Sequence, residues 1–300
     1  MIFFLIHHIR ALPKSILSSK MIHIMQKFSR ILFQSLFFLT LLSFSQSSQA
    51  QGMASFFMQV DYLKVEAGQE NNLEKFLTTY WKPVHKERIK TQEILSWRLY
   101  RVQFPSGENA EYNYVIITAF SDFGNVDPLY EELSDIVSRV HKSETLTDLY
   151  EKGRKLRKLV KSEVFRTVDE LNLSFGDKPA LFMGMDYMKV GPVQEAQYVR
   201  LEQEIWKSIH SHRIQQKEMA SWALYYLQFP GGTNYPYTYA TANYFNTWDE
   251  LVEGWPEEYW EIVHPGADHE NLVNMTHEAR ELVSSEIWKL VDYAEVQTKN

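Results

Sequence analysis

From Phe57 the chain runs Phe-Met-Gln-Val-Asp-Tyr-Leu-Lys-Val, a short mixture of β-branched and aromatic residues that predicts a strand over Phe57–Val65. The period then changes. Leu73, Phe76, Leu77, Tyr80 and Val84 recur at spacings of three and four, which predicts a helix over Asn71–Gln92 with one buried stripe. Pro83 within that run predicts a kink, although Ser208 stands at the matching place further along. Strand patterns at Ser96–Phe104 and Tyr112–Phe120 flank Pro-Ser-Gly-Glu-Asn, a hairpin-type connection. Two amphipathic helices follow, over Asp127–His141 and Leu146–Val160. Asp127 suits an N-cap and Pro128 the first helical position. A closing strand is expected over Glu163–Val168.

The pattern is written twice. At an offset of 125, Val60–Phe123 aligns without gaps on Met185–Trp248 with 24 identities in 64 positions. The matches include Asp61-Tyr62 with Asp186-Tyr187, Ser96-Trp97 with Ser221-Trp222, and Gln103-Phe104-Pro105 with Gln228-Phe229-Pro230. After a two-residue deletion His141 matches His264, Arg157 matches Arg280, and Ser162-Glu163 matches Ser285-Glu286. So long a period means duplicated domains rather than a solenoid. The expected division is a first unit over 51–172, a linker over 173–180 containing Gly-Asp-Lys-Pro, and a second unit over 181–300.

The order β-α-β-β-α(α)-β is that of the ferredoxin-like split βαβ unit. Two such units in one chain resemble a tandem member of the dimeric α/β-barrel superfamily. The resemblance spans most of Phe56–Asp292 and rests on element order. It implies an α+β fold in which two ferredoxin-like sheets pack face to face as an intrachain pseudo-dimeric barrel, with helices outside. That superfamily includes monooxygenases, isomerases, haem enzymes and stress proteins, and fold likeness alone transfers none of these roles.

Composition narrows the function. None of the 300 residues is cysteine, which excludes a disulfide-stapled module and a thiol enzyme. The net charge of −7 lacks the basic footprint of a nucleic-acid binder. Residues 1–50 hold five basic side chains and no acid. Met25-Gln-Lys-Phe-Ser-Arg30 precedes an apolar run from Ile31 to Phe44, and Ser48 and Ala50 suit the −3 and −1 positions of a secretory cut after Ala50. The run is shorter than the ~20 residues a membrane span needs. Residues 1–24 read as an upstream extension, with Met21 or Met25 as alternative starts to Met1. The expectation is therefore a periplasmic or secreted protein with no stable membrane span after cleavage; a homo-oligomer is left open.

Candidate chemistry clusters on three elements. Trp81, His85 and Arg88 flank the apolar stripe of the first long helix, and Trp206, His210 and Arg213 repeat them. There they offer an acid/base pair and an anion clamp; equally, Arg stacks on Trp and gains from the helix C-terminus. On the third strand Tyr112 and Tyr114, repeated as Tyr237 and Tyr239, share the more polar face, so that face is expected to line the space between the sheets. Asp61 and Asp186 stand mid-strand, as a base or as half of a buried pair. The basic run Lys152–Lys161 reads as a solvated face, Trp248, Trp255, Tyr259 and Trp260 as packing, and His264 with Asp268 and His269 falls outside the repeated design. No metal site is expected, and a cofactor, haem included, is left open. The sequence reading is an exported binder of a small apolar or aromatic ligand, which would sit between the sheets on Trp81, Arg88, Tyr112, Tyr114 and their repeats. The alternatives are a cofactor-independent or haem-type barrel enzyme using Asp61, His85, Asp186 or His210, and a structural or assembly protein with a filled core.

Overall fold

The computed structural model describes residues 55–126, 128, 130–254 and 256–296. The leader over 1–50, the Asp127 cap and Trp255 lie outside the described residues. Among the described residues no helix is long and apolar enough to cross a membrane.

The first half runs β1 (Phe57–Lys64), α1 (Glu70–Phe76), a π-helical turn (Leu77–Trp81), α2 (Lys82–Lys90), β2 (Ser96–Phe104), β3 (Tyr114–Phe120), α3 (Tyr130–Val140), α4 (Leu146–Leu156) and β4 (Lys158–Leu171). The second repeats the order: β5 (Phe182–Lys189), α5 (Glu195–Leu201), a π-helical turn (Glu202–Trp206), α6 (Lys207–Gln215), β6 (Ser221–Phe229), β7 (Tyr239–Phe245), α7 (Trp248–Val252), α8 (Glu258–Val263), α9 (His269–Ala279) and β8 (Glu281–Glu295). All strand pairs are antiparallel, and the eight strands close in the order β1-β3-β2-β8-β5-β7-β6-β4.

Closure depends on two long strands. Residues Lys158–Arg166 of β4 pair with β1, and Val164–Leu171 pair with β6 of the other half. In the same way β8 pairs first with β5 and then with β2. This corrects the expected helix over Leu146–Val160, which stops at Leu156: Arg157 is already extended at φ −150°. The β-branched and apolar residues Leu159, Val160, Val164 and Val168 join a strand with a partner on each side, and pairing overrides the local helical pattern.

The π turns occupy matching positions in the two halves, although only the first is followed by proline. Pro83 is therefore not their cause; it sits at the start of α2, where a helix tolerates it. The extra residue in each turn re-aims Trp81 and Trp206.

The barrel interior is filled by Met58, Val60, Tyr62, Tyr100, Met185, Tyr187 and Trp288 among others, all buried. On β3 it is Val115, Ile117 and Ala119 that point inward, while Tyr114, Ile116 and Phe120 meet the helices. On β7 Ala240, Ala242 and Tyr244 point inward and Tyr239 outward. The expectation for Tyr114 and Tyr239 is thus reversed. Small and β-branched residues suit the crowded interior, whereas the two hydroxyls need polar partners that the helices supply. Tyr114 donates to Glu74 Oε1 at 2.6 Å and Tyr239 to Glu195 Oε1 at 2.7 Å. Tyr112 and Tyr237, just before their strands, do turn into the barrel.

Reciprocal contacts reveal an internal two-fold. The hydroxyls of Tyr62 and Tyr187, repeat counterparts, lie 2.8 Å apart, which places them on the axis. Tyr112 bonds Glu286 while Tyr237 bonds Glu163. Lys82 pairs with Asp292 at 2.5 Å and Lys207 with Asp169 at 2.6 Å.

Candidate functional site

The repeated Trp, His, Arg and Asp of the first half do come together, but on the outer face of the sheet. The π turn supplies Trp81 and α2 supplies His85 and Arg88. They face Asp61 on β1, Trp97 on β2 and Thr118 on β3 across a pocket of about 280 Å³. Tyr150 of α4 and Arg157 at its end complete the wall. A second pocket of about 210 Å³ shares Trp81, Tyr150 and Arg157 and adds Arg154. Tyr112 and Tyr114 line neither. These residues therefore line a space between helix and sheet rather than one between the sheets; larger pockets of about 540 and 620 Å³ lie elsewhere, at Arg98, Leu173 and Tyr244 and at Ile89, Ile94 and Glu295, and contain none of the repeated Trp, His and Asp. Arg157, Tyr150 and Trp97 escaped the candidate set, though Arg157 and Trp97 were visible as repeated positions.

His85 is held between two indoles. Its ring stacks on Trp97 at 5.3 Å and 15°, and on Trp81 at 5.8 Å and 29°. Burial, with Arg88 nearby, pushes its pKa down to about 3, so the imidazole is neutral at physiological pH. Its Nδ1 is buried without a hydrogen-bond partner. Arg88 donates to Glu93 at 3.2 Å and to the Asn125 carbonyl at 3.4 Å. Asp61 Oδ1 accepts from Ser162 at 2.5 Å and from Gln59 at 3.0 Å. Burial lowers the pKa of Arg157, and the charge of Asp61 opposes that shift. Its Nε is buried without a partner.

The second half keeps the same four residues in a different setting. His210 stacks on Trp222 at 5.5 Å and 23°, and burial again lowers its pKa to about 3, with Arg213 contributing. Asp186 accepts from Ser285 at 2.5 Å and from Asn243 at 3.1 Å, and burial raises its pKa. Trp206 donates to Thr276 Oγ1 at 3.0 Å and packs its ring 5.3 Å from Trp260. The repeat therefore preserves the core of the site but not its surroundings.

Two other clusters are accounted for by packing and capping. At one end of the barrel Glu163, 1% exposed, accepts from Tyr62 at 2.7 Å and from Tyr235 and Tyr237, and pairs with Lys161 at 3.0 Å. Lys161 is thus drawn into the barrel end rather than lying on a solvated face. Asp268 caps α9 through the Asn271 N–H, and His269 Nε2 contacts the His264 carbonyl, so these residues serve the helix end. Among the described residues no cluster is suited to a metal ion. Trp248 packs on Phe182 at 4.3 Å, and Trp260 and Tyr259 are buried.

No protein-family model matches the chain, and no curated protein matches it. A solved structure of a candidate monooxygenase from Fusobacterium nucleatum superposes with a TM-score of 0.50 at 8% identity, covering 81% of this chain and 94% of that one. The chain has the dimeric α/β-barrel fold. A candidate monooxygenase from Lactobacillus acidophilus gives a TM-score of 0.46 at 11% identity, covering 81% of this chain and 97% of that one. A haem-binding protein from Thermus thermophilus gives 0.44 at 8%, covering 79% and 92%. Within the dimeric α/β-barrel frame, the reactions named for these neighbours belong to them alone.

Proposed function

We propose that this protein is an exported binder of a small, ring-bearing organic molecule held between the α1–α2 helix and the outer face of the first-half sheet. The observation that carries the reading is the pocket itself. Aromatic walls from Trp81, Trp97 and Tyr150 surround a few polar groups, Asp61, His85, Arg88 and Arg157, which is the makeup of a small-molecule site. Each half is a ferredoxin-like unit: the sheet orders β4-β1-β3-β2 and β8-β5-β7-β6 support that assignment, as do the reciprocal contacts about the Tyr62–Tyr187 axis. A haem does not fit this pocket. The volume of about 280 Å³ at this pocket is too small for a porphyrin disc.

Native mass spectrometry of the protein purified from its own host tests the reading. A non-covalent adduct is expected, and Thr118→Phe, which places a ring into the pocket, is expected to reduce its occupancy about tenfold. An adduct that survives this substitution places the ligand elsewhere. Export rests on the basic segment, the apolar run and the Ser48/Ala50 pair. N-terminal sequencing of the exported protein is expected to start at Gln51; a cytoplasmic protein with its leader intact refutes export.

A further inference from the structure

The two halves should offer two equivalent pockets, yet the residues around the shared core differ in a consistent direction. In the second half Arg280 lies among two carboxylates, Asp186 and Glu202, each of which feels its charge. The first-half counterpart of Glu202 is Leu77. Neither arginine has an ion pair within 4 Å among the described residues, and the Nε of each is buried without a partner. The difference lies in the carboxyl groups around them: Arg157, much of it out of water, has Asp61 alone. A guanidinium withdrawn from water with too little negative charge beside it is costly unless an anion arrives. The neighbouring pocket adds Arg154, where the second half has His277.

Space differs in the same sense. Val137, buried on α3 in the same helix–sheet core, is replaced in the second half by Trp260, whose ring lies against Trp206. Gly153 is replaced by Thr276, whose hydroxyl takes the Trp206 indole N–H. Both changes put atoms next to the Trp206 indole where the first half carries smaller residues. At Gly153 a Cβ would come 3.3 Å from the Phe76 ring edge, so a larger residue there needs that ring to give way slightly.

We propose that the first half alone takes the ligand and that this ligand is an aromatic monoanion of the carboxylate type, its charge held at Arg157 and its ring against Trp81. The proposal rests on the pocket reading above and adds a charge and a stoichiometry to it. The second half is the same site turned into a scaffold, with the buried Glu202 carboxyl standing near Arg280 where the first half has Leu77.

Calorimetry on the full chain with 2-naphthoate and its neutral isostere 2-naphthamide tests this. Naphthoate is expected to bind once per chain and about tenfold more tightly than the amide. Arg157→Gln is expected to remove that preference, weakening naphthoate binding far more than amide binding. Leu77→Glu, which gives Arg157 the acid that Arg280 already has, is expected to do the same, and Arg280→Gln to have no effect on either probe. Thermal unfolding of each variant confirms that it is folded, and Arg157→Gln carries the test if Leu77→Glu is not. Two sites per chain would overturn the restriction to the first half. Equal affinity for both probes, insensitive to Arg157→Gln, would overturn the anion while leaving the pocket reading standing. Binding of neither probe would overturn the pocket reading itself.

Discussion

Replacing Glu163 by leucine is expected to cost about 3–5 kcal/mol of folding stability, with a fall in Tm of roughly 10 °C for a domain of this size. The carboxylate is enclosed at one end of the barrel, where it accepts from Tyr62, Tyr235 and Tyr237 and neutralises Lys161. The Lys161 ammonium also sits 4.3 Å over the Tyr62 ring. Leucine matches the volume but leaves three hydroxyls without their acceptor and an ammonium without its counter-charge. Unmet partners make such a deletion more costly than the net worth of the original pair. Glu163→Gln keeps the shape and one carbonyl oxygen, so it is expected to lose less. Urea unfolding of both variants measures the difference. A loss below about 1 kcal/mol for the leucine variant would mean that the cluster contributes little to holding the halves together.

The second large effect concerns pH. Glu202, buried in the second half, has its pKa raised to about 7, chiefly by burial, against an opposing pull from Arg280. A carboxyl whose pKa is higher in the folded state binds its proton more tightly there than in the unfolded chain. Stability is therefore greatest below the unfolded value near ~4.5, declines as pH rises, and carries the full penalty above about 7. The penalty amounts to about 3 kcal/mol, at ~1.4 kcal/mol per tenfold in proton affinity. Glu202→Gln removes this titration. The variant is expected to overtake the wild type between pH 5 and 8 in Tm measured across that range, and its own curve to be flatter. A wild-type stability that rises over the same interval contradicts the assignment.

Much of the strand framework was legible in the sequence. Ser96–Phe104 is a strand as expected, and the repeat at an offset of 125 anticipated the two matching runs of elements. The length of β4 and β8 was not legible, because their second halves are held by a strand of the other repeat, which no local pattern encodes. Nor was the inward face of β3. Polarity suggested that Tyr114 faces a cavity, but which face is inside depends on how closely the strands approach and on which helix offers a carboxylate. Trp81, His85 and Arg88, grouped by their spacing in the sequence, line one pocket, but on the outer face of the sheet rather than at the space between the sheets, for the same reason. Both copies of that flank persist in the sequence, but the divergence that separates them lies at Leu77/Glu202, Val137/Trp260 and Gly153/Thr276, positions that look like ordinary packing until the fold brings them to Arg157 and Trp81.

Every strand of the closed barrel has a hydrogen-bonded neighbour on both sides. An open sheet would leave a row of unsatisfied amides and carbonyls at each border, which another chain can extend by templated pairing. Among the described residues no such border exists, because the far ends of Lys158–Leu171 and Glu281–Glu295 close the two gaps. Separating either seam exposes two borders at once, one in each half. Amide protons of these long strands should then exchange with solvent only when the whole barrel opens, and the closed barrel offers no sheet margin on which fibrillar growth can start.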